Sequence, residues 1–562
     1  MGGKGQKEVE VEGGKREYEV LSRRQVEGLI AEGRHVIIVD GYVLKVDGWL
    51  KYHPGGDKAI MHMVGRDATD EVNGLHSPEA RAMMDRYRIG RIEGRWRSFV
   101  PPIQGGKFRL LGVEEEDEAE VEVSSRGSAS SRSVSPVFDE GAGVRERRRV
   151  AGSVSSVSSA DDAGDGATAD GMAHLDTLTR REIKLDLDRY PALDPDTQDA
   201  IVQKYRELNK RIRAEKLYDC NYGAYAVECF RYALLFTAML VFLRWGWYAT
   251  SAFFLGCFWH QLVFTAHDAG HMGITHDFHT DTVIGIVIAD FLGGLSIGWW
   301  KRNHNVHHIV TNSPEHDPDI EHLPFFAVSH RLLGSLYSTY YERIMEYDAA
   351  AKFFISIQHY SYYLILLFGR FNLYRLSWLY LLTGQAPKKG PAWWHRHLEA
   401  LGQIVFWIWF GYFLVYRAID TNWHRFVFVM VSHMTSAPLH VQITLSHFAM
   451  STADLGVDES FPQRMLRTTM DVDCPEWLDF FHGGLQFQAI HHLYPRIPRH
   501  NLRRTQGLVQ AFCEDVGIPY ALYGFVDGNK VVVGRLADVA RQAAILDKCR
   551  RVVAGTEGGH HH

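Results

Sequence analysis

The sequence predicts a multidomain protein, with a small α+β domain followed by a larger all-α domain that lies in a membrane. Over residues 17–95, short β-type runs such as HVIIVD and YVLKV alternate with charged helical stretches. Over residues 200–540, long aromatic and apolar segments dominate. The length of 562 residues is itself too great for one ordinary core, so several domains are expected.

The segment between these domains, residues 105–175, predicts a disordered tether. It runs from VEEEDEAEVEV into SSRGSASSRSVSPV and is rich in Ser, Gly and acidic residues, with few large apolar side chains. Such a composition cannot bury enough apolar surface to fold alone. A tether holds a partner domain at high effective concentration while letting it move.

The apolar segments predict four transmembrane helices, because each approaches the roughly 20 residues that cross the hydrocarbon layer. Asp290 interrupts a further stretch at 282–300, and Arg370 interrupts another at 353–383. These two stretches predict interfacial or partly inserted helices. The four predicted spans contain residues 232–243, 250–266, 401–416 and 425–445.

Histidine is the residue type that points to chemistry, since the chain has 30 of them and many are clustered. The six cysteines have no CxxC pair, so they indicate neither a disulfide framework nor a cysteine metal site.

In the N-terminal domain, His53 lies in an HPGG turn and His76 follows 23 residues later. Two histidines on different helices suit a haem iron, which takes one ligand from each side of the ring. The competing interpretation is a pair of ordinary surface histidines.

Three histidine boxes in the second domain predict a metal centre. Spacings of three and four residues bring side chains onto one helix face. Seven histidines are too many for a single zinc, and Asp268 stands where a zinc protease would carry its general-base Glu. An all-imidazole set of this size suits two iron ions. The predicted ligands are His267, His271, His304, His307, His308, Gln488, His491 and His492.

All three boxes must reach one site, so the chain between them crosses the membrane an even number of times. This parity predicts four crossings, with 282–300 outside the count. His433, His440 and His447 recur every seven residues, and the helix rises about 21 Å over that distance, so all three cannot reach one centre. We predict His447 as an additional ligand, His440 as a weaker neighbour of the site and His433 as a buried, hydrogen-bonded residue.

Acidic and basic residues near the boxes have two interpretations each. Asp268, Asp317 and Asp319 are candidates to accept the second N–H of a ligand imidazole, although DPD is also a common loop turn. The basic run at 495–504 fits contacts with phosphates or with an acidic surface, and fits equally well a positive cytosolic flank.

The HPGG segment resembles the cytochrome b5 family over residues 17–95. That resemblance implies haem b with His53 and His76 as axial ligands, and therefore electron transfer rather than oxygen binding. The three boxes, spaced HxxxH, HxxHH and QxxHH, resemble the membrane fatty-acyl and sphingolipid desaturases over residues 200–530. Gln488 in place of the first histidine of the third box is typical of the front-end subgroup and leaves its contact with iron open.

The resemblance implies an oxygen-dependent desaturase. Electrons would come through the haem domain from a separate flavoprotein such as NADH-cytochrome b5 reductase. The region around box three is similar to that of fungal delta-8 sphingolipid desaturases, which implies that the substrate is the long-chain base of ceramide. The resemblance also implies a multi-pass protein of the endoplasmic reticulum, with haem and diiron sites on the cytosolic side. No nucleic-acid partner is expected.

Three alternatives stay open at this stage. The first is a front-end desaturase of acyl-CoA or acyl-lipid, and the second is a hydroxylase built on the same boxes. The third belongs to a different class, a non-enzymatic membrane carrier whose histidines bind haem or metal. Metal content and the lipid product separate them.

Overall fold

The computed structural model describes residues 17–111 and 165–557. The chain divides into two compact units. One consists of Met1–Trp49 and Met63–Arg132, and the other of Leu50–His62 and Ser133–His562.

The first unit is a small α+β fold, as the sequence predicts. Its three-stranded antiparallel sheet has the order β1-β2-β3, with Ile38 opposite Val43. The alternating apolar residues of the two β-type runs point into a core that includes Val26 and Phe99. In chain order, the elements of the N-terminal region are α1 (Arg23–Ala31), β1 (Val36–Val39), β2 (Tyr42–Lys45), α2 (Asp47–Leu50), α3 (Asp57–Met61, in the second unit), α4 (Thr69–Leu75), α5 (Pro78–Met84) and β3 (Arg88–Arg91).

The second unit is mostly helical, and its described strands form two separate two-stranded sheets. Its helices are α6 (Asp165–Arg189), α7 (Pro195–Ala214), α8 (Tyr222–Arg244), α9 (Tyr248–Gly270), α10 (Phe278–Ile286), α11 (Ile297–Ile309), α12 (Ala349–Ser356), α13 (Gln358–Leu366), α14 (Gly369–Leu382), α15 (His395–Phe406), α16 (Asn422–Thr435), α17 (Pro438–Phe448), α18 (Phe461–Thr468), α19 (Asp479–His482), α20 (Gln488–Leu493), α21 (Leu502–Val516) and α22 (Phe525–Glu557). The strands are β4 (Tyr337–Ser338), β5 (Arg343–Ile344), β6 (Asp471–Asp473) and β7 (Leu522–Gly524).

Three helical segments in the described part of the chain are long and apolar enough to cross a membrane. The segment Tyr222–Arg244 buries only 11% of its apolar window, so its side chains face outward as lipid contact requires. The other two are His395–Arg417 and Asn422–Phe448. All three contain segments that the sequence predicts as spans.

The remaining predicted span, 250–266, forms helix α9 but is not among these segments. Its middle carries His260 and Gln261, both buried, because the helix packs inside the bundle and not against lipid. A bent pair, Phe278–Leu292 with Ile297–Ile309, turns through 117° and raises the count to four if it is one span. The sequence predicts this stretch as partly inserted, and the crossing number stays a prediction.

The membrane bundle has an aromatic core, in which Trp259, Phe406 and Phe428 are buried together. The predicted interfacial stretch 353–383 is broken into three short helices, α12 to α14, as a segment interrupted by Arg370 should be. Arg370 is buried, and its guanidinium donates to the Gly293 carbonyl at 2.5 Å.

The predicted tether at 105–175 lies largely outside the described residues. Its C-terminal boundary is wrong, because helix α6 begins at Asp165. The tether's last residues, ATADGMAHL, contain Ala, Met and Leu, which favour a helix over a coil. At the other end, the described residues Arg109 and Leu110 accept hydrogen bonds from Arg24 and so belong to the first unit.

Candidate metal centre and haem ligands

The three histidine boxes lie on three separate helix segments of the second unit. Box one is at the end of α9, box two is on α11 and box three is on α20. The chain brings these segments together although box three lies about 180 residues after box two. All seven box histidines are within ring-contact distance of at least three other histidines.

One group combines residues of all three boxes. Its ring nitrogens lie within 4.8 Å of one another, a spacing at which one ion can be shared. The His267 and His491 rings are 4.5 Å apart, so box one and box three meet directly. The group consists of His267, His271, His304 and His491.

A second group contains His307, His447 and His492, all buried and again within 4.8 Å. The Nε2 atoms of His307 and His492 are 3.2 Å apart. His447 is the member of the series His433, His440 and His447 that the sequence analysis predicts as an additional ligand, and the structure places its ring against both partners. Two neighbouring groups of nitrogen ligands are the arrangement that two metal ions require.

His308 lies between the two groups. Its Nε2 is 3.1 Å from Nε2 of His304, and its ring stacks on that of His492 at 4.2 Å. Gln488 is buried at the first residue of α20, one turn before the two box-three histidines. Its contact with a metal stays a prediction.

Whether a metal ion fits among these histidines can be judged from buried imidazole nitrogens that have no hydrogen-bond partner. Nε2 of His271, Nε2 of His491 and Nδ1 of His447 are all in this position. An imidazole nitrogen buried without a partner is costly. A divalent ion removes that cost by accepting the lone pairs, so the donor set fits two iron ions.

A carboxylate that lies outside box two fixes the orientation of one of its imidazole rings. His307 Nδ1 donates to Asp317 at 2.8 Å, which confirms the predicted orienting role and leaves Nε2 for the metal. Asp317 also accepts the Asn312 backbone N–H at 2.7 Å and that of Asp319 at 2.9 Å, so the turn interpretation is correct as well. Burial alone would raise the pKa of Asp319, but His307 and His304 hold it below its ordinary value.

Two residues near box two have roles that sequence reasoning missed. The Asn312 side-chain amide donates to the carbonyls of His447 at 2.8 Å and Thr468 at 3.1 Å, and therefore ties the metal group to two later segments. Thr311 Oγ1 lies 3.3 Å from Nδ1 of His492. In the sequence, only their position directly after HNVHH could have indicated that these two residues support the site.

Box one is supported by a buried ionic network. The Arg499 guanidinium pairs with Asp268 and with Glu228, and Tyr225 donates to Asp268. His267 Nδ1 is 4.0 Å from Asp268, so Arg499 is that carboxylate's nearer partner. The predicted phosphate or surface contact for the basic run 495–504 is therefore wrong for Arg499, which is buried inside the fold.

Two further histidines hold the fold by hydrogen bonds, and for His433 this agrees with the prediction of a buried, hydrogen-bonded residue. His433 is buried, donates to the Val429 carbonyl at 2.7 Å and stacks on Phe371. His276 contacts the carbonyls of Met272 and Tyr218, both at 2.8 Å.

The two predicted haem ligands occupy turns with their Nδ1 atoms on backbone carbonyls. His53 Nδ1 contacts Gly56 O at 2.7 Å, and His76 Nδ1 contacts Val72 O at 3.2 Å. Donation from Nδ1 puts the lone pair on Nε2, the tautomer that binds haem iron. Burial lowers the pKa of His53, which favours the neutral ligand form. Each residue, taken by itself, presents the nitrogen that axial ligation of haem b needs, and the ligation stays a prediction.

Comparison with known families decides the assignment. The fatty acid desaturase family matches residues 243–524, which is half of the chain and includes all three boxes. This chain is a member of the fatty acid desaturase family. The cytochrome b5-like haem/steroid binding domain matches residues 22–93.

Full-length relatives share both parts. A delta 8-(E)-sphingolipid desaturase of Emericella nidulans is 63% identical over 96% of this chain and 98% of its own length. One from Kluyveromyces lactis is 48% identical over 95% of each chain. A delta(8)-fatty-acid desaturase of Helianthus annuus is 37% identical over 62% of this chain and 75% of its own.

These comparisons confirm the two-domain architecture and the enzyme class. The chain is a membrane desaturase with a fused cytochrome b5-like haem-binding domain. The non-enzymatic carrier is not favoured, since the relatives that match over nearly the full length are named as desaturases.

Proposed function

We propose that this desaturase introduces the delta-8 double bond into the long-chain base of a ceramide or related sphingolipid, with E geometry. The observation that carries the chemistry is the pair of adjacent all-histidine groups, one around His271 and one around His447. The substrate assignment is supported by full-length relatives named delta 8-(E)-sphingolipid desaturase, at 47–63% identity.

The histidines would hold two iron ions, which supply the dioxygen activation that hydrogen removal from an unactivated methylene needs. In this proposal, His267, His271, His304 and His491 would hold one ion, while His307, His447 and His492 would hold the other. His308 lies between them, and Gln488 is a further proposed ligand. Asp317 holds the His307 ring in the ligating tautomer. Because most of these side chains are buried, the site excludes bulk water from the reaction.

Electrons enter, in this proposal, through the haem domain. His53 and His76 would ligate haem b on both sides and leave no position for oxygen. The donor is NADH-cytochrome b5 reductase or a similar flavoprotein, and dioxygen is the terminal acceptor. The haem and metal sites would lie on the cytosolic side of the endoplasmic reticulum membrane.

Lipid mass spectrometry in a desaturase-deficient yeast tests this function. We expect new unsaturation confined to the long-chain base, at carbon 8, with an infrared band for an E double bond. The matched control is His491→Ala, which removes a ligand of the first group, and the exposed His397→Ala serves as a second control outside both groups.

Three results would contradict parts of the proposal. Unsaturation in the acyl chain would keep the enzyme class and overturn the substrate. A hydroxylated base with no alkene would replace desaturation by hydroxylation. Bound zinc or copper with no new lipid, in protein that retains haem, would favour a carrier.

A further inference from the structure

The turn that carries His53 packs directly against the box-two helix. Its segment, Leu50–His62, belongs to the second unit together with α11. The Asp57 carboxylate lies 2.6 Å from the Arg302 guanidinium, and the Arg302 side chain is only 17% exposed. An ion pair of the second unit therefore holds a predicted haem ligand beside the helix that carries box two.

The two glycines of HPGG make this close approach possible. A Cβ atom on Gly55 would lie 2.4 Å from Nδ2 of Asn305 and 2.9 Å from Cε1 of His53. A Cβ atom on Gly56, whose φ is +87°, would lie 3.0 Å from Cγ of Arg302. A larger residue at either position would push the turn away from the helix. Asn305 is therefore a direct neighbour of the His53 ring across Gly55.

The far end of the segment contacts the loops that follow box two. Lys58 is buried, and its ammonium donates to the Thr339 carbonyl at 2.8 Å and to the Glu342 carboxylate at 2.6 Å. The buried His62 ring lies 5.3 Å from that of His316. The segment is thus fixed at two points, one on α11 and one on these loops.

The order of the charges fixes the register of the contact. Along the segment an acid, Asp57, precedes a base, Lys58, and they face Arg302 and Glu342 respectively. A slip that exchanged the partners would bring like charges together, which is costly. The turn therefore has one favoured position on the helix.

We propose that this contact is the electron-transfer contact of the enzyme, with a route from His53 through the side chain and backbone of Asn305 to His304. Asn305 donates to the Gly55 carbonyl at 3.4 Å and directly follows His304, a member of the first histidine group. Electronic coupling falls steeply with distance, so a route along bonds and van der Waals contacts favours transfer. Arg302 and Lys58 are positioning residues on this route.

The proposal rests on the proposed function, since it needs haem at His53 and iron at the histidine groups. Each transfer moves one electron from a ferrous haem iron to a ferric ion of those groups, so that the first is oxidised and the second is reduced. No bond forms or breaks in this step.

The first test measures the transfer in full-length protein in lipid nanodiscs, with haem and iron contents determined for each variant. Arg302→Glu sets a like charge against Asp57. We expect haem, once reduced, to be reoxidised roughly tenfold more slowly, and the ratio of NADH-driven to chemically driven turnover to fall equally. Arg302→Lys and the exchange variant Arg302→Glu with Asp57→Arg should recover most of the rate. The exposed Arg541→Glu should match the wild type.

A disulfide tests the position of the turn without haem, iron or turnover. A Cβ atom on Gly56 would lie 3.7 Å from Cβ of Arg302, close to the roughly 3.8 Å typical of disulfides. Gly56→Cys with Arg302→Cys should therefore link on mild oxidation, detected by peptide mass spectrometry. Gly56→Cys with Arg541→Cys is the control pair and should not link.

The outcomes separate this proposal from the proposed function. A missing link, or an unchanged turnover ratio in Arg302→Glu, would overturn the electron-transfer contact. A wild type that holds haem and iron but yields no desaturated product would instead refute the proposed function. If Arg302→Glu loses iron, Lys58→Met keeps the test decisive, because it weakens the second contact and should lower the same ratio.

Discussion

The orientation of a single imidazole controls the second metal group. His307 reaches Asp317 through Nδ1 at 2.8 Å, and Asp317 is itself completely buried. The carboxylate is held in turn by backbone N–H groups of the loop that follows the box. The sequence predicts this pairing from the acidic residues near the box, but only the fold distinguishes Asp317 from Asp319 as the direct partner.

Asp317→Asn should weaken iron binding in the second group. An amide can present N–H to the imidazole, so the preferred tautomer changes although the shape is kept. Loss of such an outer partner costs roughly 10- to 100-fold in metal affinity. We expect iron per chain, measured by mass spectrometry, to fall toward half. Asp188→Asn, an exposed acid, is the control, and full iron occupancy in Asp317→Asn would contradict the assigned role.

The observed role of Arg499 differs from the role that its neighbours in the sequence suggest. Charge counting groups it with a basic surface run, whereas the fold buries it between Glu228 and Asp268. Neither acid is near Arg499 in the sequence, since they lie 271 and 231 residues away. No local pattern encodes such a contact, and for that reason it was missed.

Arg499→Met should destabilise the bundle strongly. It leaves two carboxylates buried without their cation, and breaking a buried pair in this way costs about 3–5 kcal/mol. Thermal unfolding in detergent should show a lower Tm, while the exposed Arg541→Met should not. The double variant Arg499→Met with Asp268→Asn should recover part of the loss. An unchanged Tm in the single variant would mean that the network contributes little.

At the scale of elements, the sequence predicts the helices and strands whose residue pattern is regular and misses those whose pattern is interrupted. The runs that form β1 and β2 are short and rich in β-branched residues, as strands should be, and the spacing within each box matches a helix face. The heptad of His433, His440 and His447 assumes one continuous helix, but the chain breaks between Thr435 and Pro438. Tertiary packing decides such breaks, and it also decides that α9 lies inside the bundle.

Helix α20, which carries box three, depends on a buried acid at its start. Asp471 accepts the Ala489 N–H at 2.8 Å and is completely buried. Burial raises the pKa of Asp471 to about 7, from 3.8. The folded state therefore binds a proton that the unfolded state releases between these values, and the stability from this group is lost as pH rises through about 7.

Asp471→Asn removes this titration while keeping a carbonyl acceptor for the helix. The Tm of the wild type minus that of the variant should decrease between pH 5 and pH 8. Taking the difference cancels the other titrating groups. A difference that stays constant over this range would show that Asp471 keeps an ordinary pKa.

At the scale of the whole molecule, the chain combines a cytochrome b5-like haem-binding domain with a desaturase domain that carries the histidine groups. The haem ligands and the metal ligands come from separate motifs, each recognisable by spacing alone. This separation explains why the sequence predicts both chemistries well. It also means that one function can be removed while the other is kept.

His53→Ala should therefore abolish turnover driven by NADH and reductase without emptying the histidine groups. Removal of an axial ligand eliminates the bis-histidine haem spectrum, and iron in the second unit should stay at the wild-type level. A chemical reductant that bypasses haem should still support a single turnover, detected as desaturated long-chain base. His35→Gln, in the same cytochrome b5-like domain but in a surface pair with Asp47, is the control. Full NADH-driven activity in His53→Ala would show that electrons reach the metal groups without this haem, and His76→Ala repeats the test from the other ligand.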